Sequence, residues 1–331
     1  MGVKSTGSHP TTTKADGHLL EYFRSDMGAG GGGTNAPIPF PPGPITASGG
    51  TKTTSGLYTI HTFTSSGSLV VTGGNDDVEY LVIAGGGGGG GYGGGVFGGG
   101  GGAGGYRSNV PGQNSGGGAS AEPATAPVEP GTYPVVIGGG GSGASQPNAG
   151  GAGGGNSELN LGAEFGSGLA PIVSTGGGGG GRGPSQAGNP ANGGSGGGAQ
   201  WPGDSYPTGG TGTSGQGYAG GRSSPGSTDP YLNFGGGGGS GGAGGNADGG
   251  SGGNGGAGTA SNITGGATTR AGGGGGGSYN QDVGIGAADG GNGGRYSSPY
   301  TPTSASANTG SGGGGGTGNG GSGIVIVRYL T

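Results

Sequence analysis

Gly249-Gly250-Ser251-Gly252-Gly253-Asn254-Gly255-Gly256-Ala257 is three consecutive Gly-Gly-X triplets. A polyproline-II-like chain turns once every three residues with a rise of about 3.1 Å, so every third side chain falls on one ridge and the other two faces carry only hydrogen. Bare faces let neighbouring segments approach closely. The conformation has no internal hydrogen bonds, so each buried N–H and C=O must pair with a neighbour. The same period recurs in Gly241-Gly-Ala243-Gly-Gly-Asn246, Gly290-Gly-Asn292-Gly-Gly-Arg295 and Ala149-Gly-Gly-Ala152. The pattern predicts a bundle of polyglycine-II helices, with pure runs such as 85–91 and 272–277 inside and runs broken by Ser, Asn or Thr facing water.

Composition sharpens the requirement. Glycine supplies 112 of 331 residues, and ordering each costs roughly 1–2 kcal/mol of backbone entropy with almost no hydrophobic return. The hydrophobic share is 26%, too little for a conventional core of this length, so lateral hydrogen bonds must supply what burial does not. Cysteine is absent, which excludes disulfide staples and Cys-based metal or redox sites. A net charge of −5 with scattered arginines gives no basic stripe, so nucleic acid is not an expected partner. No stretch approaches the ~20 apolar residues of a membrane-spanning helix.

Outside the glycine, few segments read as strands. Tyr58-Thr-Ile-His-Thr-Phe-Thr64 alternates, Ser65-Ser-Gly67 reads as a turn, and Ser68-Leu-Val-Val-Thr72 completes an expected hairpin. Val78-Glu-Tyr-Leu-Val-Ile-Ala84, Thr132-Tyr-Pro-Val-Val-Ile137 and Gly323-Ile-Val-Ile-Val-Arg-Tyr-Leu330 are further candidates. The fold expected is mostly irregular and β: the glycine bundle tethered to a small antiparallel sheet or sandwich, with a short N-terminal helical segment. Residues 1–52 form an attachment segment and a Pro-rich linker; residues 53–84, completed by 132–137 and 323–330, form the β-scaffold; residues 85–322 form the bundle with its loops. In the first of these, Asp16 reads as the N-cap of a short amphipathic helical segment over residues 17–26, whose Leu19, Leu20, Tyr22 and Phe23 are the expected assembly contacts.

Val78-Glu-Tyr-Leu-Val-Ile-Ala84 entering Gly85, Gly104-Gly-Tyr106-Arg107, Pro130-Gly-Thr-Tyr133-Pro-Val-Val-Ile137-Gly and Gly323-Ile-Val-Ile-Val-Arg328-Tyr329 form an ordered series of motifs. From about residue 53 onward the chain resembles the glycine-rich domain of bacteriophage tail-fibre and virion structural proteins, those of marine cyanophages in particular. Gly7-Ser-His-Pro and Gly17-His-Leu-Leu-Glu-Tyr-Phe-Arg24 resemble the segment that often precedes that domain. The resemblance extends to polyglycine-sandwich adhesins at tail-fibre tips. It implies a virion location, partners among other virion proteins or copies of the same chain in a homo-oligomer, and distal loops that meet a host-surface glycan or protein.

Signals for chemistry are weak. Gly-x-Gly-x-x-Gly matches are trivially satisfied by glycine runs, no Gly-Lys-Ser/Thr is present, and Gly193-Gly-Ser195-Gly-Gly197 lacks the strand-to-helix context of a nucleophile elbow. The three histidines, His9, His18 and His61, have no zinc spacing, and His61 reads as a sheet-surface residue. Asp76, Asp77 and Glu79 lack the oxygen series of a calcium loop. No catalytic residue, metal ligand or cofactor is therefore expected, and the chain does not read as an enzyme. Trp201, Tyr206, Tyr231, Phe234, Tyr279, Tyr296 and Tyr300 lie between glycine runs, in loops rich in Pro, Ser and Asp. They are the receptor-binding candidates, and the competing reading is that they cap the bundle ends or pack on a neighbouring subunit. A tail-fibre adhesin is the leading expectation; a self-assembling extracellular filament subunit and, more weakly, an ice-binding protein are the alternatives.

Overall fold

The computed structural model describes residues 43–92, 97–125, 127–146, 148–162, 170–182, 190–199, 207–224, 232–297 and 300–331. All lie in one compact unit, Pro41–Thr331. The helical segment expected after Asp16, with Leu19, Leu20, Tyr22 and Phe23, falls outside the described residues. Among those described, the only helical element is a 3-10 turn at Gly116–Gly118. The architecture is otherwise strand and irregular backbone.

Among the described residues, twelve strands make two five-stranded antiparallel sheets and one hairpin. The first sheet runs β1 (Gly43–Ser48), β4 (Gly67–Asn75), β7 (Gly131–Val136), β8 (Ser157–Leu159), β9 (Ile172–Ser174). The second runs β2 (Thr51–Ser55), β3 (Tyr58–Phe63), β12 (Ile324–Leu330), β5 (Glu79–Ile83), β6 (Tyr106–Ser108). The hairpin joins β10 (Thr259–Ser261) to β11 (Thr268–Arg270). Gly49 (φ 113°) and Gly50 (φ 58°) carry the chain from the first sheet to the second through backbone conformations that other residues rarely adopt.

Side-chain alternation on β5 and β12 explains how the sheets stack. Tyr80, Val82, Val325, Val327 and Tyr329 face the first sheet and meet Leu69, Val71, Tyr133, Val135 and Leu159 in one buried core. Leu81, Ile83, Ile324 and Ile326 face the other way and pack with Tyr106, Ile263 and Ala271. The second sheet is thus buried on both faces at β5 and β12, which fits their nearly unbroken apolar runs. Residues 78–84 and 323–330 supply adjacent strands; residues 132–137 supply a strand of the facing sheet.

Three expectations need correction. β3 and β4 do not form a hairpin: β3 pairs with β2 and β12, and β4 with β1 and β7. The apolar side chains of the two strands share one core, Phe63 with Leu69 and Val71, so the short 64–66 link turns the chain between sheets. Strands also begin earlier than residue 53, since Gly43–Ser48 forms an edge of the first sheet and Thr51–Ser55 an edge of the second. An edge tolerates Pro44, which has no N–H to give a ladder. His61, finally, is fully buried.

The glycine segments lie side by side. Gly85, Gly88 and Gly91 donate their N–H groups to Gly155, Ala152 and Ala149; Gly86 and Gly89 donate to Gly321 and Gly318; Gly87 and Gly90 donate to Gly102 and Gly99. Their carbonyls accept from three other segments, at Gly177 and Gly180, at Gly141 and Ala144, and at Gly313 and Gly316. Every third residue meets the same neighbour, and one segment has six. Residues 98–104 repeat the pattern with segments around 87–90, 178–181, 195–198, 235–238, 274–277 and 310–313.

Where the array ends, asparagine continues it. Oδ1 of Asn156, Asn192, Asn246, Asn254, Asn292 and Asn319 each accepts a backbone N–H, from Gly176, Thr211, Arg222, Ile285, Gly286 and Gly143, at 2.8–2.9 Å. Asn254 shows the benefit: its backbone carbonyl accepts from Gly245 while its side chain accepts from Ile285. A residue with two carbonyls can hold two neighbours at a boundary where a glycine would hold one.

Candidate functional site

Residues 84–92 leave β5 and residues 97–105 return to β6, paired through Ala84 to Gly105, Gly87 to Gly102, Gly90 to Gly99 and Tyr92 to Phe97. Tyr92 and Phe97 therefore mark the end of the glycine array remote from the sheets. Glycine cannot close such an end, because it has no side chain to lay across it. Aromatic residues at the termini of several runs converge there instead.

Phe97 sits at the centre, fully buried. Its ring meets Tyr92 edge-on at 5.3 Å, Phe234 edge-on at 5.6 Å, Tyr279 at 5.9 Å and Tyr296 at 5.6 Å. Tyr279 and Tyr296 stack at 4.9 Å with an interplanar angle of 17°. Leu232 completes the cluster. Such pairs contribute about 0.5–1.5 kcal/mol each beyond area burial, so the cluster fastens this end as the sandwich fastens the other.

Of the sequence-derived candidates, Phe234 has no exposed surface and Tyr279 packs beside it, so these two build the cap. Tyr296 is 50% exposed and Tyr300 58%. Arg295 links the rim: its guanidinium lies 5.0 Å from the Tyr300 ring and 3.0 Å from the Asp282 carboxylate. Asp282 is itself largely exposed, so that ion pair contributes little to stability. Trp201, Tyr206 and Tyr231 lie outside the described residues. Tyr92, Phe97 and Leu232 were missed; an aromatic residue abutting each end of a glycine run was the available signal.

The chain positions that flank several intervals also meet at this end. Ser224 bonds Asn233, Phe234 bonds Gly277, Tyr279 bonds Leu232, Ser297 bonds Tyr279, and Gly181 bonds Gly198, beside Gly99.

Elsewhere, polar groups are consumed by the scaffold. Glu79 pairs with Arg328, whose guanidinium also lies 4.3 Å from the Tyr58 ring. Glu122 holds Arg107 at 2.6 and 2.8 Å and accepts the Tyr80 hydroxyl. Burial and the Glu122 carboxylate push the Tyr80 phenol well above its ordinary value. Ser195 is buried within the glycine array. Among the described residues no group of three His, Asp or Glu side chains is placed to hold a metal ion, and no helix is long and apolar enough to cross a membrane.

Residues 62–330 match the family described as the glycine-rich domain. Comparison with curated proteins and with solved structures gave no match.

Proposed function

The chain belongs to the glycine-rich domain family, and from that premise we propose that it is a non-catalytic virion protein, a bacteriophage tail-fibre adhesin subunit whose glycine runs are polyglycine-II helices. The three-residue hydrogen-bond spacing supports the helical part of the reading. A threefold helix points successive N–H groups in three directions and successive carbonyls in three more, which gives six neighbours in a hexagonal array. The observation that carries the functional part is the convergence of the run ends on the aromatic cluster: loops that start from one rigid platform are how variable recognition is mounted on a fixed body. Exposed Tyr296 and Tyr300 flank that platform. In this reading the N-terminal segment, with Leu19, Leu20, Tyr22 and Phe23, joins the subunit to other virion proteins or to copies of itself.

A self-assembling extracellular filament is the second reading, and β2 favours it. Among the described residues β2 pairs on one side only, and its strand is largely exposed. An added strand could continue the sheet there. Lys52, the second residue of that strand, is the kind of residue that discourages such pairing, which leaves the adhesin ahead. Immunogold electron microscopy of the native assembly decides between them. Gold at the fibre tips of tailed particles is the expected result; gold along continuous polymers of one repeating subunit would replace it with the filament.

A further inference from the structure

At the end of the glycine array nearest the sheets, away from the aromatic cluster, the surface opens into a cleft of about 480 Å³. Gln113, Asn114, Ser115, Tyr218, Ser240 and Thr259 contribute its side chains. We propose that this cleft binds a neutral saccharide unit. The inference goes beyond the virion reading and does not need it.

The lining contains amides, hydroxyls, a phenol and glycine backbone, and no acid or base. A phosphate, carboxylate or cation would find no counter-charge. The volume falls within the roughly 300–1,000 Å³ of small-molecule sites. A sugar presents adjacent hydroxyls, each able to donate and accept, together with C–H faces that lie against an aromatic ring. The cleft offers the matching groups. Gln113 lines the cleft and is held there by donating through Nε2 to Asn262 Oδ1, and the Asn114 amide and the Tyr218 phenol stand beside it. Ser240 Oγ lies 2.9 Å from Thr259 Oγ1 and 3.5 Å from the Arg270 carbonyl, so this wall presents two hydroxyls, each able to donate or accept.

The wall opposite Thr259 is shaped at a conformational cost. Gly112, Gly117, Gly118 and Gly215 all hold φ between 65° and 75°, the left-handed region. At Gly118 a Cβ would stand 2.6 Å from the Tyr218 hydroxyl, and φ of 75° is the stronger reason for glycine, since the phenol could shift but the backbone conformation would stay strained. Ser115 ties the same loop to the Tyr106 carbonyl at 3.1 Å, and Gly117 donates to the Ser240 carbonyl at 2.8 Å. The cleft is therefore braced on both sides.

Saturation-transfer NMR on the full chain tests the proposal, with methyl α-D-mannopyranoside, methyl α-D-glucopyranoside, methyl β-D-galactopyranoside and N-acetylglucosamine as probes and N-acetylneuraminic acid as the charged comparator. At least one neutral sugar should bind, with Kd weakened tenfold or more in Tyr218→Ala and in Gln113→Ala and unchanged in Tyr300→Ala at the other end of the array. Tyr218→Phe, which keeps the ring, should weaken binding less, and thermal melts of each variant establish that it is folded. Saturation of none of the neutral sugars, saturation of the charged sugar alone, displacement of the sugar by a Gly-Ser peptide, or binding that survives both cleft substitutions would overturn it. Because the readout uses the purified chain, failure here leaves the particle-labelling result to stand or fall separately.

Discussion

His61 and Tyr329 are locked together inside the sandwich: His61 Nε2 lies 3.0 Å from the Tyr329 hydroxyl and Nδ1 lies 2.7 Å from the Gly49 carbonyl. A carbonyl only accepts, so Nδ1 carries the proton and Nε2 accepts from the phenol. Burial pushes the imidazole below its ordinary 6.5, and nearby Lys52 adds to that, while the Gly49 bond opposes it. In the window just below pH 6.5 the unfolded chain binds the proton that the folded chain refuses, so unfolding free energy rises with pH there. The contribution is complete above 6.5 and is lost as pH falls toward the lowered folded value. Denaturant melts from pH 5 to 8 should show wild type losing stability toward acid more steeply than His61→Gln, which keeps donor and acceptor without titrating. Parallel curves for the two proteins would refute the assignment.

Neighbouring glycines should respond oppositely to the same methyl group. A Cβ on Gly154 would strike the Gly85 carbonyl, whereas one on Gly153 would meet only the Gly177 oxygen, at an ordinary 3.5 Å. Gly154→Ala should cost about 1–3 kcal/mol by overpacking, and Gly153→Ala should stay within about 0.5 kcal/mol of wild type or gain slightly from reduced unfolded-state entropy. Gly88→Val and Gly274→Val, aimed at the Ser142 and Gly313 carbonyls, should likewise be far more damaging than Ser251→Val. Equal losses in thermal melts would contradict the close-packed array.

Asn254→Ala removes the acceptor of the Ile285 amide. The expected loss is about 0.5–1.5 kcal/mol, a net hydrogen bond at a solvent-accessible boundary. Asn254→Asp keeps an acceptor and should lose less. Amide hydrogen exchange provides the local check: the Ile285 N–H should exchange faster in the alanine variant, by up to about tenfold for 1.4 kcal/mol, while Gly237 in the interior stays unchanged.

Strands with strong alternation or long apolar runs are legible: residues 78–84 and 323–330 stand out as the longest apolar runs of the chain. Three-residue strands such as Ser157–Leu159 carry too little pattern to be seen. Alternation alone puts His61 on a wet face, whereas β3 is covered on both, with Ile60 in one core and Phe63 in the other. The triplet period foretold lateral pairing of glycine segments, but it was silent on which segments would be neighbours, since bare backbone carries no side chain to specify a partner. Asparagine recurs in the triplets, yet its use as a second carbonyl becomes visible only when the neighbouring amide is in place.

Replacing Trp201, Tyr231 and Tyr300 together by alanine should leave folding intact and reduce adsorption to host cells. Tyr300 is exposed beside the buried cluster, so its loss removes no core contact, unlike Phe97→Ala, which should destabilise by about 3–5 kcal/mol. Paired melting and adsorption assays read both effects. A triple variant that assembles normally and adsorbs as well as wild type would move recognition away from these loops.

Glu79 and Arg328, partners across β5 and β12, are 249 residues apart in the chain. At roughly 5–20 residues per second, a ribosome that has finished β5 needs on the order of ten to fifty seconds to deliver the strand that belongs beside it. Throughout that delay Leu81, Val82 and Ile83 present an unpaired apolar edge, and the glycine segments emerge with no closed sandwich to return to. A nascent chain that stalls anywhere before Ile324 thus lacks the central strand of the second sheet. Delivery of Ile324–Leu330 is therefore the step that lets the second sheet close, however early its other strands are made.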